Sequence, residues 1–380
     1  MNFKIVKLGD IDINVIDGDR GKNYPHKNEL LNSGYCLFLS AKNVTQNGFM
    51  FCNNQFITKE KDELLNNGKL KRGDIVITTR GTVGNVAIYS DDVPFNNIRI
   101  NADMLIIRCG KNIDNYYLYQ VLRSKLFYNQ VFSIKSGTAQ PQLPKSHFLK
   151  MTVPIPNIET QHKISAIMSG ICDKIILNNR INRNLEEQAQ AIFKSWFVDF
   201  EPFGYVMPDN WKITTLDSIA DISTGKRPKN KLSEMTSEFC FPLVGATSVM
   251  GYTNEYNHNN KILVIGRVGT HGIVQRFNLP CWASDNTFVI KSKYYEFLYQ
   301  VLQRINYKNM NCGSTQPLIT QRDLKKVSVI LPTENHLENF EKIAGNLMCK
   351  LDYNKRENEK LSALRDALLP QLLNGKIEIP

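Results

Sequence analysis

Gly137-Thr138-Ala139-Gln140-Pro141-Gln142-Leu143 recurs later in the chain as Gly313-Ser314-Thr315-Gln316-Pro317-Leu318-Ile319, and this repetition decides the fold. The match continues at the same offset, without a gap, as far as Ala191 and Ala367. Upstream of the quoted stretch the match is looser, and the first copy is longer than the second. The chain is therefore a duplication in which each copy has a variable front part and a well-matched back part.

The two front parts have the pattern of an α+β fold. Short β-rich runs such as Asp74–Thr79 and Lys261–Ile265 are separated by Gly, Asn and Pro turns. Helices are predicted at Tyr116–Gln130 and Tyr294–Asn306. We expect each front part to be an α/β domain with a curved, largely antiparallel sheet.

The two back parts are predicted to be long helices, each roughly 40 residues or about 60 Å in length. Asn157 and Thr333 stand at equivalent N-cap positions, and Gly375 is a suitable C-cap. Apolar residues recur seven apart in two series per helix. These are Ile164, Ile171, Leu185 and Ile192 with Met168, Ile175, Ala189 and Trp196, and then Phe340, Leu347, Leu361 and Leu368 with Ala344, Leu351 and Leu372.

The predicted domain order follows from these elements. The first domain covers residues 1–155, the first helix 156–201, the second domain 202–331 and the second helix 332–380. We expect the two helices to pack antiparallel as a coiled-coil spacer between the domains, which gives the chain a pseudo-twofold internal repeat.

Asn178 and Asn354 occupy the same otherwise apolar position of the seven-residue repeat, near the middle of each helix. In antiparallel helices the two amides could hydrogen-bond across the seam, which would lower stability but specify register and orientation. The alternative is that both are solvated asparagines in an Asn-rich protein.

The charge balance favours a polyanionic partner. The 380 residues include 47 Lys and Arg against 36 Asp and Glu, for a formal net charge of +11. No stretch approaches the roughly 20 apolar residues of a membrane helix, and the N-terminus lacks the pattern of a signal peptide. We therefore expect a cytoplasmic chain without a membrane partner.

Motifs of catalysis and metal binding are missing from the sequence. It contains no G-x-x-x-x-G-K-[ST], G-x-G-x-x-G, H-E-x-x-H or G-x-S-x-G, and its eight cysteines are scattered without a C-x-x-C pair. We predict no catalytic residue and no metal ligand. Two other functions stay open: a DNA methyltransferase or nuclease with diverged motifs, and a protein scaffold whose positive charge is incidental.

Three pairs of segments are candidates for DNA contact. Gly-bearing loops carry Arg20 and Lys22 in the first copy, and Lys226, Arg227 and Lys229 in the second. Such cations can reach phosphates and release counterions, although they could also be a solvated surface.

The second pair of segments follows a predicted strand. Arg80 and Thr82 begin a Gly-rich turn in the first copy, and Arg267 and His271 do so in the second. An arginine there could read guanine in the major groove, hold a phosphate, or brace the turn.

The third pair is the quoted loops, where Gln140 and Gln316 could contact DNA or lock the domain to its helix.

The sequence resembles the specificity subunit of a Type I restriction–modification system. The resemblance covers essentially the whole chain and is carried by four segments: Gly313–Gln316, Ile330-Leu331-Pro332, Leu185–Phe200 and Leu364–Ile377. It implies two target-recognition domains, each binding half of a bipartite, asymmetric site on double-stranded DNA. It also implies that the helices form the spacer and the docking surface for methyltransferase subunits, two of them.

The resemblance implies further partners as well. The methyltransferase subunits would bring S-adenosylmethionine, so that this chain itself would bind no cofactor, and restriction subunits would join them. The aromatic cluster Trp196, Phe197 and Phe200, with Leu368 and Leu372 on the second helix, is predicted to contact a methyltransferase subunit. Alternatively, the aromatic residues pack the helix end onto the second domain.

Overall fold

The computed structural model describes residues 3–135, 142–268, 272–310 and 318–377. The chain forms two compact units. The first unit consists of Met1–Leu177 and Glu357–Pro380, and the second unit consists of Asn178–Arg356. Each unit therefore contains one front part together with a portion of both long helices.

In the first unit, strands and short helices alternate as expected from the β-rich runs. The strands are β1 (Lys4–Lys7), β2 (Ile13–Asp17), β3 (Cys36–Leu39), β4 (Val44–Thr45), β5 (Gly48–Phe49), β6 (Phe56–Ile57), β7 (Ile75–Thr78), β8 (Val86–Ile88), β9 (Ile98–Ile100), β10 (Met104–Cys109) and β11 (Thr152–Ile155). The helices are α1 (Lys59–Leu64), α2 (Asn115–Arg123), α3 (Lys125–Lys135), α4 (Lys145–Phe148) and the first long helix, α5 (Ile158–Phe197), which ends in the second unit.

The second unit repeats this arrangement with fewer elements. Its strands are β12 (Lys212–Thr215), β13 (Asp221–Thr224), β14 (Phe241–Val244), β15 (Val249–Thr253), β16 (Ile262–Gly266), β17 (Val274–Phe277), β18 (Trp282–Ala283), β19 (Thr287–Lys291) and β20 (Ser328–Leu331). Its helices are α6 (Tyr295–Arg304), α7 (Gln321–Lys325) and the second long helix, α8 (Glu334–Leu373), which ends in the first unit.

The two units share one sheet topology. A four-stranded antiparallel sheet has the order β2-β10-β7-β8 in the first unit and β13-β19-β16-β17 in the second. A three-stranded sheet has the order β6-β3-β9 and β15-β14-β18, with one parallel pair in each case. The predicted α+β class with largely antiparallel sheets is thus confirmed, and the parallel pairs were not foreseen.

A two-stranded ribbon joins the beginning of each front part to its end. It is formed by β1 with β11 in the first unit and by β12 with β20 in the second. Because the second strand of each ribbon directly precedes a long helix, the ribbon attaches the front part to that helix.

The predicted helix Tyr116–Gln130 is wrong as a single element, since the chain breaks it into α2 and α3 at Ser124. The backbone of Ser124 is extended, with ψ 152°, which ends α2. Its hydroxyl accepts a hydrogen bond from the backbone N–H of Phe127 (3.3 Å) and thereby caps α3.

The ends of the long helices follow the predicted signals in part. The side chain of Asn157 accepts a hydrogen bond from the N–H of Thr160 at 2.8 Å, as an N-cap should. The Thr333 hydroxyl instead lies 2.8 Å from Nδ1 of His336. Gly375 has the left-handed backbone of a C-cap, with φ 64°.

Within each unit the segments of the two long helices pack antiparallel. In the second unit, the ring of Phe340 packs against Phe193 and Phe197, with centroids 5.7 and 5.3 Å apart. Asn354, further along α8, bonds to Asn182, which lies earlier on α5. In the first unit, Lys174 Nζ lies 3.4 Å from Glu357 Oε2. There too, the buried core brings the beginning of α5 together with the end of α8. Its members from these segments are Ile164, Met168, Leu369, Leu372 and Leu373.

Candidate nucleic-acid interface

The basic loop of each unit begins at a glycine pressed against a neighbouring turn. A Cβ added to Gly18 would overlap the carbonyl oxygen of Asn101, and a Cβ added to Gly225 would overlap that of Ser284. Only glycine allows the backbone to approach so closely. The two loops are therefore equivalent in structure although their sequences differ.

In the second unit the basic loop is anchored at both ends and leaves its cations exposed. The N–H of Lys226 donates to Ala283 O (2.9 Å), and Trp282 Nε1 donates to Lys226 O (2.7 Å). The backbone of Leu232 pairs with that of Tyr252 in both directions. Between the anchors, the side chains of Lys226, Arg227 and Lys229 are exposed. No carboxylate of the described ranges lies within ion-pairing distance of them, so their charges face solvent.

In the first unit the loop is held by a buried carboxylate. Asp19, which is 5% exposed, accepts hydrogen bonds from the N–H groups of Gly21 and Asn66, both at 2.7 Å. Burial alone would raise the pKa of Asp19, but these backbone bonds outweigh it and lower the pKa below its usual value. The anionic Asp19 therefore holds the loop in place, and the side chains of Arg20 and Lys22 lie exposed on it.

Arg80 and Arg267 leave equivalent strands and rest on equivalent turns. The N–H of Arg80 donates to Asp103 O (3.3 Å), and the N–H of Arg267 donates to Asn286 O (2.9 Å). Their side chains meet different neighbours, because Arg80 Nη1 lies 3.6 Å from Asp103 Oδ1. An amide, Asn286, stands at the second position. The Arg80 side chain thus braces its own turn through this ion pair. No carboxylate of the described residues pairs with Arg267.

The structure brings the loop and the arginine together on one turn in each unit. In the first unit, Arg20 Nη2 donates to Ala102 O at 3.0 Å, next to the Asp103 that receives Arg80. In the second, the N–H of Lys226 bonds to Ala283, the last residue of β18, and the N–H of Arg267 bonds to Asn286 in the turn that follows. Each unit thus gathers cations from two distant segments of sequence, a geometry suited to a phosphate backbone.

These turns were missed by the sequence analysis. Residues 101–103 and 284–286 are short polar connections between strands, and such connections are common. A weak signal exists in their shared position, since each directly precedes the strand that becomes central in its sheet, β10 or β19.

The other candidates for DNA contact are placed only in part. Thr82 is exposed, and its hydroxyl donates to Ala41 O at 3.3 Å. Gln140, His271 and Gln316 lie outside the described residues, as do residues 137–141 and 313–317 of the two quoted loops.

The structure corrects the predicted partner interface at Phe197 and Leu372, which are buried inside the chain. Phe197 is 3% exposed, and its ring packs on Trp211 and Phe297, with centroids 5.6 and 5.1 Å apart. Trp196 and Phe200 pack partly buried against the same cluster. Packing of the helix end onto the second domain, the alternative interpretation, is therefore the one observed.

The two leucines of that predicted interface are also engaged inside the chain. Leu372 is 1% exposed in the core of the first unit, and the half-buried Leu368 packs against the same core. The physical reason is that the apolar face of each helix is used for the partner helix and for the sheet of its own unit. Little apolar surface at these positions is left for another protein.

Asn178 and Asn354 are both buried, at 1% exposure, so they are not solvated asparagines. Nδ2 of Asn354 donates to Oδ1 of Asn182 at 2.9 Å. Asn182, itself 7% exposed, was not singled out by the sequence analysis.

A buried charged cluster in the second unit has a structural role. Arg276 Nη2 lies 2.6 Å from Glu296 Oε1, and Nη1 lies 3.4 Å from Asp352 Oδ1, so the guanidinium joins β17, α6 and α8. The carboxylate of Glu341 on α8 accepts the N–H groups of Glu296 and Phe297 and caps α6. Burial raises the pKa of Glu296 to about 7 although Arg276 opposes it.

Within the described ranges, no group of three metal-ligating side chains comes together, and no helix is long and apolar enough to cross a membrane. The fold and the site define a class: a duplicated α+β protein that presents two equivalent basic surfaces and two long helices.

A family model described as "Type I restriction modification DNA specificity domain" matches residues 1–187 and 208–363. The chain is 25% identical to the Type I restriction enzyme HindI specificity subunit of Haemophilus influenzae, over 99% of this chain and 100% of that protein. It is 24% identical to the MjaIX specificity subunit of Methanocaldococcus jannaschii, over 81% of this chain and 78% of that protein. A crystal structure of an S subunit from M. genitalium has the same fold, with a TM-score of 0.64, 17% identity and coverage of 98% of this chain and 96% of that one.

The chain belongs to the family of specificity subunits of Type I restriction–modification systems. The role of this family is DNA sequence specificity, and its members are recognition subunits without catalytic activity. Specificity subunits assemble with methyltransferase and restriction subunits and bind DNA.

Proposed function

We propose that each unit reads one half of a bipartite, asymmetric target on double-stranded DNA. We also propose that the long helices set the gap between the halves and dock two methyltransferase subunits. The observation that supports the division of labour is the pair of equivalent turns, which carry Arg80 and Arg267 beside different neighbours, Asp103 and Asn286. A duplicated scaffold with divergent side chains at one position suits two different half-sites.

The test is to map methylated bases in cells that carry this chain with its partner subunits. We expect Arg267→Ala to relax selection in one half of the target only, at a cost of about 1–3 kcal/mol if the arginine reads a base. Equal loss of methylation at all sequences would assign Arg267 to a phosphate instead. Simultaneous relaxation of both halves would contradict the division between the units.

We further propose that this chain binds no cofactor and that S-adenosylmethionine is held by the methyltransferase subunits. Action on DNA favours the cytoplasm as the place of function. The isolated chain, incubated with duplex DNA and labelled S-adenosylmethionine, should transfer no methyl group. Robust transfer by the pure chain would support the methyltransferase alternative, and salt-insensitive binding without sequence preference would support the scaffold.

A further inference from the structure

The ribbon that closes each unit has an outer edge, and the two units treat this edge differently. In the first unit the N–H of Leu8 donates to Met151 O, and in the second that of Leu216 donates to Val327 O. Since successive residues of a strand direct their N–H and C=O groups to opposite sides, the next residues point outward. These are Thr152 and Pro154 of β11, and Ser328 and Ile330 of β20.

In the first unit every outward group of this edge is satisfied or absent. The side chain of Gln130 on α3 accepts from Thr152 N (3.0 Å) and donates to Thr152 O (2.9 Å). The Tyr117 hydroxyl donates to Pro154 O at 2.7 Å. Proline itself has no N–H to offer. No further strand can add to this edge.

In the second unit each of these closing devices is replaced. Ile330 stands where Pro154 does and restores an N–H, and Phe297 stands where Tyr117 does and lacks the hydroxyl. After α6, the described residues up to Met310 form the short turn Tyr307–Met310, where the first unit has the helix α3. Within the part of the chain that the structure describes, nothing bonds to the outward groups of Ser328 and Ile330.

A cavity of about 390 Å³ opens beside this edge. It is lined by Val327 and by Ser328–Ile330 of the ribbon. Aromatic and aliphatic side chains of α5 and α6, such as Phe193, Phe297 and Val301, and the side chain of Arg304 complete the lining. Arg304 is exposed, as are Lys212 and Lys326 on and near the ribbon. The surface therefore offers unpaired backbone groups, an apolar recess and positive charge together.

We propose that the outer edge of β20 and this cavity bind an extended, carboxylate-bearing segment of a partner protein in the restriction–modification complex. The segment adds as a third strand by backbone hydrogen bonds. An apolar side chain of the segment enters the cavity, and its carboxylates face Lys212, Arg304 and Lys326. Because the first unit closes the equivalent edge, one such segment binds per chain. The proposal rests on the proposed function for the existence of the complex.

Hydrogen exchange of the β20 amides tests the proposal directly. We expect the amides of Ser328 and Ile330 to exchange freely in the isolated chain and to slow by at least about tenfold in the assembled complex, since a bonded strand must open to exchange. The Thr152 amide, already bonded by Gln130, is the internal control and should be protected in both states. Equal exchange at Ser328 and Ile330 in both states would overturn the proposal.

Other occupants give different results. Protection in the isolated chain that rises with protein concentration would assign the edge to a second copy, and protection independent of concentration would assign it to the chain's own residues. Either outcome overturns the proposal. Methylation by the same complex is measured in parallel, so that failure of the proposed function is seen as loss of target selection, whatever the exchange at β20.

A pair of variants separates backbone bonding from side-chain contact. Ile330→Pro introduces the residue that the first unit carries at this position and so removes one outward N–H. Because this breaks a hydrogen bond to the added strand and disturbs the adjacent ones, it should weaken retention of the partner at least about tenfold. Ile330→Ala keeps the N–H and should retain most of the binding. Equal retention by a folded Ile330→Pro variant would contradict strand addition. Should that variant not fold, the exchange measurement on the unaltered chain still decides.

Discussion

Asn354 donates a hydrogen bond to Asn182 at 2.9 Å, and both amides are buried between the two long helices of the second unit. An amide pair in an apolar seam contributes less stability than leucines would, but it is satisfied in one alignment of the helices. A shift of one helix by one turn would break this hydrogen bond and leave both amides in an apolar environment without a partner, which is energetically costly. The pair therefore specifies the register of α5 against α8.

We expect Asn354→Ala to lower the free energy of unfolding by about 1–3 kcal/mol, because it leaves the buried Asn182 amide without its partner. Urea denaturation followed by circular dichroism measures the change. Asn339→Ala on the exposed face of the same helix is the matched control and should stay within about 0.5 kcal/mol of the parent. Equal stability of the Asn354 variant would show that the amide pair carries no energy.

The helix seam shows what could be predicted from sequence and what could not. The duplication and the apolar series predicted two long helices, because a repeat of seven is a local pattern. Asn182 falls in the second apolar series, between Ile175 and Ala189, and could have been chosen by the same criterion as Asn178. Which asparagine meets which depends on the axial alignment of the two helices, and a pattern within one helix does not encode that alignment.

The candidate interface divides in the same way. The basic loops and the arginine turns were visible as duplicated motifs. Their meeting on residues 101–103 and 284–286 depends on pairings between strands far apart in sequence, which no local pattern encodes. The burial of Phe197 was open for a related reason, since an aromatic cluster at a helix end has the same sequence whether it packs inward or against a partner.

The difference between Asp103 and Asn286 predicts opposite effects of two exchanges. Asp103→Asn should release Arg80 from its ion pair and strengthen binding of the first half-site by about 0.5–1 kcal/mol. Asn286→Asp should build that pair in the second unit and weaken the other half-site similarly. Titration of duplexes with one half-site scrambled measures each effect. The control is Asp91→Asn, which removes an exposed negative charge elsewhere in the first unit. An equal gain in affinity from this variant would attribute the effect of Asp103→Asn to net charge alone.

The aromatic cluster predicts a loss of stability rather than of a docking surface. Phe197→Ala should destabilise the second unit by about 3–5 kcal/mol, because a buried ring among Trp211, Phe297 and Phe340 leaves a cavity. Val198→Ala, at an exposed neighbouring position, should change stability by less than about 0.5 kcal/mol. Thermal unfolding measures the stability of each variant, and co-purification measures its binding to the methyltransferase subunits. A Phe197 variant of normal stability that loses the methyltransferase subunits would restore the docking interpretation.

Glu296 predicts a pH dependence of stability. Its pKa is raised in the folded state to about 7 by burial, so the folded chain binds this proton more tightly than the unfolded chain does. The stability that this provides is complete at pH values below the ordinary glutamate pKa, and it is lost as pH rises through about 7, a change of up to about 3 kcal/mol. Thermal unfolding between about pH 5 and pH 8 should therefore show falling stability.

The variant Glu296→Gln separates this effect from other titrations, because glutamine cannot lose a proton and should flatten the fall between about pH 5 and pH 8. The control is Glu334→Gln, which removes an exposed carboxylate paired with Lys293. The pairing lowers the pKa of Glu334, so that group is already ionised over this range. An unchanged slope in the Glu296 variant would assign the pH dependence to other groups.

The exposed basic loop of the second unit predicts how salt acts on DNA binding. If Lys226, Arg227 and Lys229 contact phosphates, DNA binding by a variant with all three replaced by glutamine releases about three fewer counterions. The slope of log K against log salt should then fall by nearly three, and affinity should drop by a similar factor for every sequence. Replacing Lys342, Lys350 and Lys355 on α8 changes net charge equally and serves as control. Equal slopes for the two triple variants would mean that overall charge, rather than the loop anchored at Trp282, holds the duplex.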